Sequence, residues 1–164
     1  MGDWQMNFRI TRNRRRAFSL IELVIVVVIL GVIGAVAIPR MSRGAEGAAE
    51  SALVSNLATL RGAIELYAAE HGGTFPTEAN FADQMLLYSN ASGGTNATKT
   101  GAFIYGPYLR SVPALPVGAR QGSSGVAAAD AAGIGWIYDE DTGAIVSNTT
   151  GAEVNGSGTA WNTF

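Results

Sequence analysis

Arg14-Arg15-Arg16-Ala17-Phe18-Ser19-Leu20-Ile21-Glu22 opens onto Leu23–Ile38, sixteen residues without a charged or polar side chain. Counted from Phe18, the apolar block is 21 residues, and at about 1.5 Å of rise per helical residue it reaches roughly 30 Å, the thickness of a bilayer hydrocarbon core. Val and Ile dominate it, yet a lone strand in lipid leaves its backbone N–H and C=O groups without partners, so the segment is expected to be helical. Arg9, Arg12, Arg14, Arg15 and Arg16 would hold its N-terminal end on the cytoplasmic side.

Three readings compete for this segment. A basic stretch, an apolar run and then Ala35-Val36-Ala37 form the outline of a secretory signal with its cleavage site. Arg15-Arg16-Ala17-Phe18 offers the paired arginines of a twin-arginine export signal. The third reading is a retained membrane helix, and Glu22 favours it. A carboxylate carried to mid-membrane costs about 2.5–3.5 kcal/mol on insertion scales. A signal that is discarded gains nothing from that cost, whereas a retained helix does if something pairs with the carboxylate.

Composition narrows the function. The chain has 164 residues, no cysteine and one histidine, His71. Disulfide scaffolds, thiolate metal sites and cysteine nucleophiles are excluded, and one histidine leaves little catalytic machinery. The net charge of -2 argues against a nucleic-acid binder. That charge is uneven. Residues 1–17 carry five arginines against Asp3, a local +4, and residues 18–164 carry six basic and twelve acidic residues, a local -6.

Ala17-Phe18-Ser19-Leu20-Ile21-Glu22, with arginines before it and an apolar helix after it, resembles the prepilin peptidase motif of type IV pilins and type II secretion pseudopilins. The resemblance implies cleavage between Ala17 and Phe18 by the prepilin peptidase, then N-methylation of Phe18 by the same enzyme system. It implies that Glu22 pairs with the Phe18 amine of a neighbouring subunit during assembly, offsetting the buried carboxylate and fixing register. The alternative partner is the Phe18 amine of its own chain. Pro39 and Gly31 stand where the family commonly has these residues. Gly31, Gly34 and Pro39 are read either as a stretch where the helix can loosen in a filament, or as a close-packing face with a mild kink.

From Ser42 to Glu70 the pattern turns amphipathic. Leu53, Leu57, Leu60, Ile64 and Tyr67 step by 4, 3, 4 and 3, one face of a 3.6-residue period. Arg61 and Glu65 stand at i,i+4 as an expected ion pair. His71-Gly72-Gly73 followed by Pro76 is a stop signal, with His71 read as a helix-end residue near the dipole. One helix is therefore expected from Phe18 to Glu70, about 80 Å long at the same rise, its outer half packed on a small head. The stretches Ala49–Leu53, Leu60–Tyr67 and His71–Pro76 are similar to the major, G-type pseudopilin group.

Beyond Pro76 the residues predict a short helix capped by Thr77 and running to Leu87, with Phe81, Met85 and Tyr88 on one side. Ser89–Gly101 reads as a polar loop, 117–133 as a mobile Gly/Ala/Ser-rich segment, and 148–164 as an exposed patternless tail. Gly135-Trp136-Ile137-Tyr138 and Ala144-Ile145-Val146 flank Asp139-Glu140-Asp141-Thr142-Gly143, the clearest hairpin in the chain. Asp139 and Asp141 are candidate calcium ligands, but Thr150 stands where an EF-hand loop needs Glu. A plain acidic turn is the favoured reading, with no cofactor. The Asn-x-Ser/Thr triplets at Asn90, Asn96, Asn148 and Asn155 read as loop composition.

The expected architecture is an α+β, type IV pilin-like fold: residues 1–17 a leader, 18–39 a membrane-spanning assembly helix, and 40–164 a periplasmic head carrying the amphipathic half of the helix and an antiparallel hairpin or sheet. The resemblance implies a non-enzymatic subunit of a homo-oligomeric pseudopilus for type II secretion. It would be anchored in the inner membrane, served by the prepilin peptidase/N-methyltransferase, an assembly platform and a secretion ATPase, and joined by minor pseudopilins. A type IV pilus or DNA-uptake subunit, and a membrane-anchored extracytoplasmic binding module, are the alternatives.

Overall fold

The computed structural model describes residues 18–164, the side chains of residues 36–43 excepted. The expected leader and Ala17 lie outside the described residues, as do the side chain of Pro39 and its expected part in helix flexibility. The chain divides into two compact units, one reaching to Met41 and one of Ser42–Phe164. Helix α1 is Leu20–Glu70, 51 residues.

In the first unit, α1 begins two residues later than the apolar pattern predicts. Ser19 is its N-cap: Glu22 Oε2 reaches back to accept the Ser19 N–H as in a capping box, while Ser19 Oγ accepts the N–H of Ile21, the second helical residue rather than the third. The large apolar side chains from Phe18 to Ile33 are each between 47% and 78% exposed. Gly31 and Gly34 sit in this helix, and a Cβ at either would meet nothing within 4 Å. Glycine costs about 1 kcal/mol against alanine in a helix interior, and packing among the described residues gives no reason to bear it. Among the described residues no helix is long and apolar enough to cross a membrane. The run with described side chains, Leu20–Ala35, is 16 residues, about 24 Å at 1.5 Å each and short of the roughly 30 Å core. The expected span of 18–39 stands on the sequence.

In the second unit, Leu53, Leu57, Leu60, Ile64 and Tyr67 are all buried, as their spacing predicts. They pack with Phe81, Met85, Leu115, Trp136, Tyr138 and Ile145 into one core. Two of its aromatics place their polar tips on carbonyls: Trp136 Nε1 donates to the Pro113 carbonyl at 2.8 Å and Tyr138 Oη to that of Pro76 at 2.9 Å. The expected Arg61–Glu65 pair does not form. Arg61 Nη2 donates instead to the carbonyls of Ile145 at 3.2 Å and Phe164 at 2.7 Å, so it ties the helix to the C-terminal segment. Gly72 and Gly73 take positive φ, and the Gly73 N–H returns to the Ala68 carbonyl, closing the helix where the stop signal predicts.

The segment after Pro76 departs from expectation in its details. A 3-10 turn, Glu78–Asn80, leads into α2, Phe81–Leu86. The Thr77 hydroxyl makes no cap bond to the helix backbone; the Thr77 N–H donates to Gln84 Oε1 at 2.8 Å. Tyr88 leaves the helix for β1, Tyr88–Ser89, which pairs antiparallel with β2, Thr95–Asn96, inside the expected polar loop. Asn90 Oδ1 organises that turn by accepting the N–H groups of Ser92 and Gly94.

The second sheet has the order β3-β4-β5, with β3 at Gly125–Ala127, β4 at Ile134–Tyr138 and β5 at Ile145–Ser147. The β4–β5 hairpin is the one the sequence marks, with Trp136 opposite Ser147 and Tyr138 opposite Ile145. Strand β3 runs parallel to β4, so this sheet is mixed rather than wholly antiparallel. It also lies inside the segment expected to be mobile. Gly135 makes the approach possible, since a Cβ there would collide with the Ser123 carbonyl. The Arg120–Asp130 ion pair and the bond from Asn148 Nδ2 to Asp130 then pin the segment.

The tail expected to be exposed is part of the head. Asn148 and Asn155 are buried, Trp161 and Phe164 pack on the core, and a 3-10 turn spans Trp161–Thr163. Irregular backbone is satisfied here by side chains: Asn155 Oδ1 accepts the N–H groups of Ser157 and Thr159 while its amide donates to Glu50. A segment built this way leaves no hydrophobic period to read.

Candidate functional site

The N-terminal edge is set by the capping box. Phe18 lies outside the helix and is 77% exposed. Ser19 Oγ stands 3.3 Å from the Ile21 nitrogen, and Glu22 Oε2 stands 3.0 Å from the Ser19 nitrogen. The Glu22 carboxylate therefore has a partner in its own chain, one residue from Phe18. An acid in the first turn also suits the positive end of the helix dipole. The pattern Ser-x-x-Glu before an apolar run was available in the sequence as a capping signal, beside the pairing role expected for Glu22.

The acidic hairpin turn is internally bonded. Asp139 Oδ2 accepts the Thr142 hydroxyl at 2.8 Å and Oδ1 accepts the Asp141 N–H at 3.0 Å. These bonds hold the Asp139 carboxyl below its ordinary range, the Thr142 hydroxyl having the largest effect. Gly143, at φ 71°, closes the turn against the Phe75 ring, where a Cβ would have no room. Both candidate calcium ligands are in the turn, but one spends its carboxylate on the turn itself. Among the described residues no group of three or more His, Cys, Asp or Glu is placed to hold a metal ion.

His71 is buried just past the end of α1. Its ring stacks on Tyr67 with centroids 3.8 Å apart. Because the Tyr67 carbonyl can only accept, Nδ1 at 2.8 Å carries the proton, and Nε2 accepts from Ser89 Oγ at 3.1 Å. A Ser–His contact of this kind has the outline of a nucleophile and base, but Ser89 is 0% exposed and no substrate reaches its oxygen. The contact fastens the helix end to β1. Nearby, Tyr108 donates to Glu70, and burial is the main reason its hydroxyl is held well above the ordinary tyrosine range.

Sequence reasoning did not anticipate an open groove of about 450 Å³ between the 3-10 turn and the outer side of the β4–β5 hairpin. Half-buried Ile137 and Val146 line it with Glu78, Glu140 and Asp141. Glu140 Oε2 accepts the Glu78 N–H, and Glu78 Oε1 accepts the Ala128 N–H, so two of the carboxylates join the turn, the hairpin and the end of β3.

Residues 12–38 match the family model described as the prokaryotic N-terminal methylation motif. No curated protein and no solved structure matches the chain. The match covers the last arginines, the charge step and the apolar block, and supports a type IV pilin-like, prepilin-type class for the chain. Within that class the α+β head is compatible with a pilin-like fold.

Proposed function

We propose that the chain is a prepilin-like precursor of the G-type pseudopilin kind, cut between Ala17 and Phe18, N-methylated at Phe18 and polymerised into a pseudopilus for type II protein secretion. The observation that carries this reading is the methylation motif across residues 12–38, joined to an apolar helix whose large side chains are exposed on all sides. Such a surface needs lipid before assembly and other copies after it. In the bilayer the helix anchors the precursor in the inner membrane, with the head in the periplasm. On extraction into a filament, the apolar surfaces of neighbouring helices cover one another and Glu22 exchanges its Ser19 partner for the Phe18 amine of a neighbour.

The chemistry of the head is structural. The one histidine and its serine are locked in the core, so the reading assigns the chain no catalysis. It is the substrate of the peptidase and methyltransferase, and its partners are other copies and the inner-membrane assembly machinery. Deleting the gene from its host tests the assignment. Exoproteins accumulating in the periplasm, restored by the wild-type gene, support secretion; normal secretion with lost DNA uptake or lost surface pili would move the chain to a pilus system.

A further inference from the structure

We propose that the acid-lined groove of one copy receives the Lys99–Ile104 loop of a second copy, an inference that rests on the filament reading above. The groove presents two chemistries together: the aliphatic side chains of Ile137 and Val146, and carboxylates beside them. The Asp141 carboxylate has no hydrogen-bond partner among the described residues; only its backbone N–H is engaged, by Asp139. A surface of this kind fits a cation carried next to an aliphatic group.

The same chain carries that complement. Lys99 is its sole lysine. It is exposed, and its ammonium lies 5.9 Å from the Tyr88 ring centroid, outside any ion pair among the described residues. Ile104 is 49% exposed, one of few large apolar side chains the head leaves in solvent. The Thr100 N–H donates to the Phe103 carbonyl at 3.3 Å, so a closed turn holds Lys99 and Ile104 at its two ends.

Charge arithmetic selects this loop. Residues 44–164 carry eleven acidic and four basic side chains, so like copies repel unless a cation meets the acids. Of the four, Arg120 is paired with Asp130 and Arg61 is bonded to carbonyls. Arg110 is exposed but follows the buried Leu109, whereas Lys99 shares its turn with an exposed isoleucine. Groove and loop are different patches of one surface. Each copy can therefore fill a neighbour's groove while its own is filled, a heterologous contact that extends without closing, as a filament requires.

The single lysine makes the contact testable on the wild-type chain. Filaments sheared from cells expressing a mixture of isotopically light and heavy full-length chains are treated with a carbodiimide, which couples an ammonium directly to a touching carboxylate. Mass spectrometry should find Lys99 joined to Glu78, Glu140 or Asp141 in mixed light–heavy pairs, and Lys99→Gln should abolish these peptides whether or not the Phe18 amine also couples to Glu22 of a neighbour. Asp141→Lys and Lys99→Glu should each lower filament recovery about tenfold through like-charge contact, and the two together should restore it. Filaments in which Lys99 couples to other carboxylates, or to none, overturn the contact and leave the filament reading standing. So does wild-type recovery by both reversed variants. A wild-type chain that yields no filament overturns both.

Discussion

The Glu22 carboxylate accepts the Ser19 backbone N–H at 3.0 Å, while Ser19 Oγ accepts the Ile21 N–H at 3.3 Å. One side chain thus serves two ends: it caps its own helix in the precursor and is the proposed partner of a neighbour's amine in the filament. Glutamine at the same position keeps the cap and loses the charge, which separates the two. Glu22→Ala and Glu22→Gln should both insert and both be cleaved, because cleavage depends on the leader edge at Ala17. Both should fail to assemble, since an amine buried without its carboxylate costs about 3–5 kcal/mol. Shearing and filament recovery check this. Wild-type amounts from Glu22→Gln would leave the carboxylate as a cap alone.

The core on the amphipathic half of α1 should set head stability. Leu57→Ala removes a fully buried side chain and should cost about 2–5 kcal/mol. Tyr138→Phe leaves the Pro76 carbonyl without its donor and should cost about 1–3 kcal/mol. Leu66→Ala, at an exposed position on the same helix, should stay within about 0.5 kcal/mol. Chemical unfolding of the full chain in detergent, followed by near-UV circular dichroism, ranks the three. Equal loss from Leu57→Ala and Leu66→Ala would mean that the head does not pack on the Leu57 face.

Stability should fall at both pH extremes, for different groups. Asp130, held down chiefly by Arg120 and next by Asn148, Asp139 by the Thr142 hydroxyl, and Glu153 by the N–H groups of Thr150 and Ala119 all titrate below the usual carboxylate range. A depressed folded value means that their contribution is complete above the unfolded values near pH 4 and is lost as pH falls through the folded ones. Tyr67, Tyr108 and Tyr138 are all raised, chiefly by burial. Their contribution is complete below about pH 10 and is lost as pH rises beyond it. Unfolding midpoints should be flat from about pH 5 to 9 and drop below about pH 4 and above about pH 10. A drop centred inside the pH 5 to 9 window would contradict this assignment of groups.

Calcium should bind the β4–β5 turn weakly or not at all. Asp139 spends both oxygens on Thr142 and Asp141, and the turn lacks the twelfth-position Glu of a calcium loop. Calorimetry on the full chain in detergent is the check, with Asp141→Ala as the comparison. Micromolar affinity that disappears in the variant would show the turn to be a metal site.

What the sequence made legible follows from how each element is stabilised. The leucine stripe and the β4–β5 hairpin are held by side-chain burial, and burial leaves a period of 3.6 or 2 to read. Strand β3, the β1–β2 pair and the C-terminal turn are held by backbone contacts and by Asn90, Asn148 and Asn155, whose bonding partners are distant or irregular. No period records such bonds. Arg61 shows the limit for charged pairs: Glu65 stands at the right spacing, yet carbonyls from across the head take the guanidinium. The motif at Ala17–Glu22 was legible because residue type, charge step and helix all coincide there. The groove was not, because Glu78 and Asp141 are 63 positions apart and meet only in the folded head.

The mass of the mature N-terminal peptide tests the account most directly. Protein purified from membranes of cells that carry the peptidase should begin at Phe18, with one methyl group on its amine. A chain beginning at Ile38, after Ala35-Val36-Ala37, would mean that the apolar block is a discarded signal, and that the chain is neither anchored, methylated nor assembled through it.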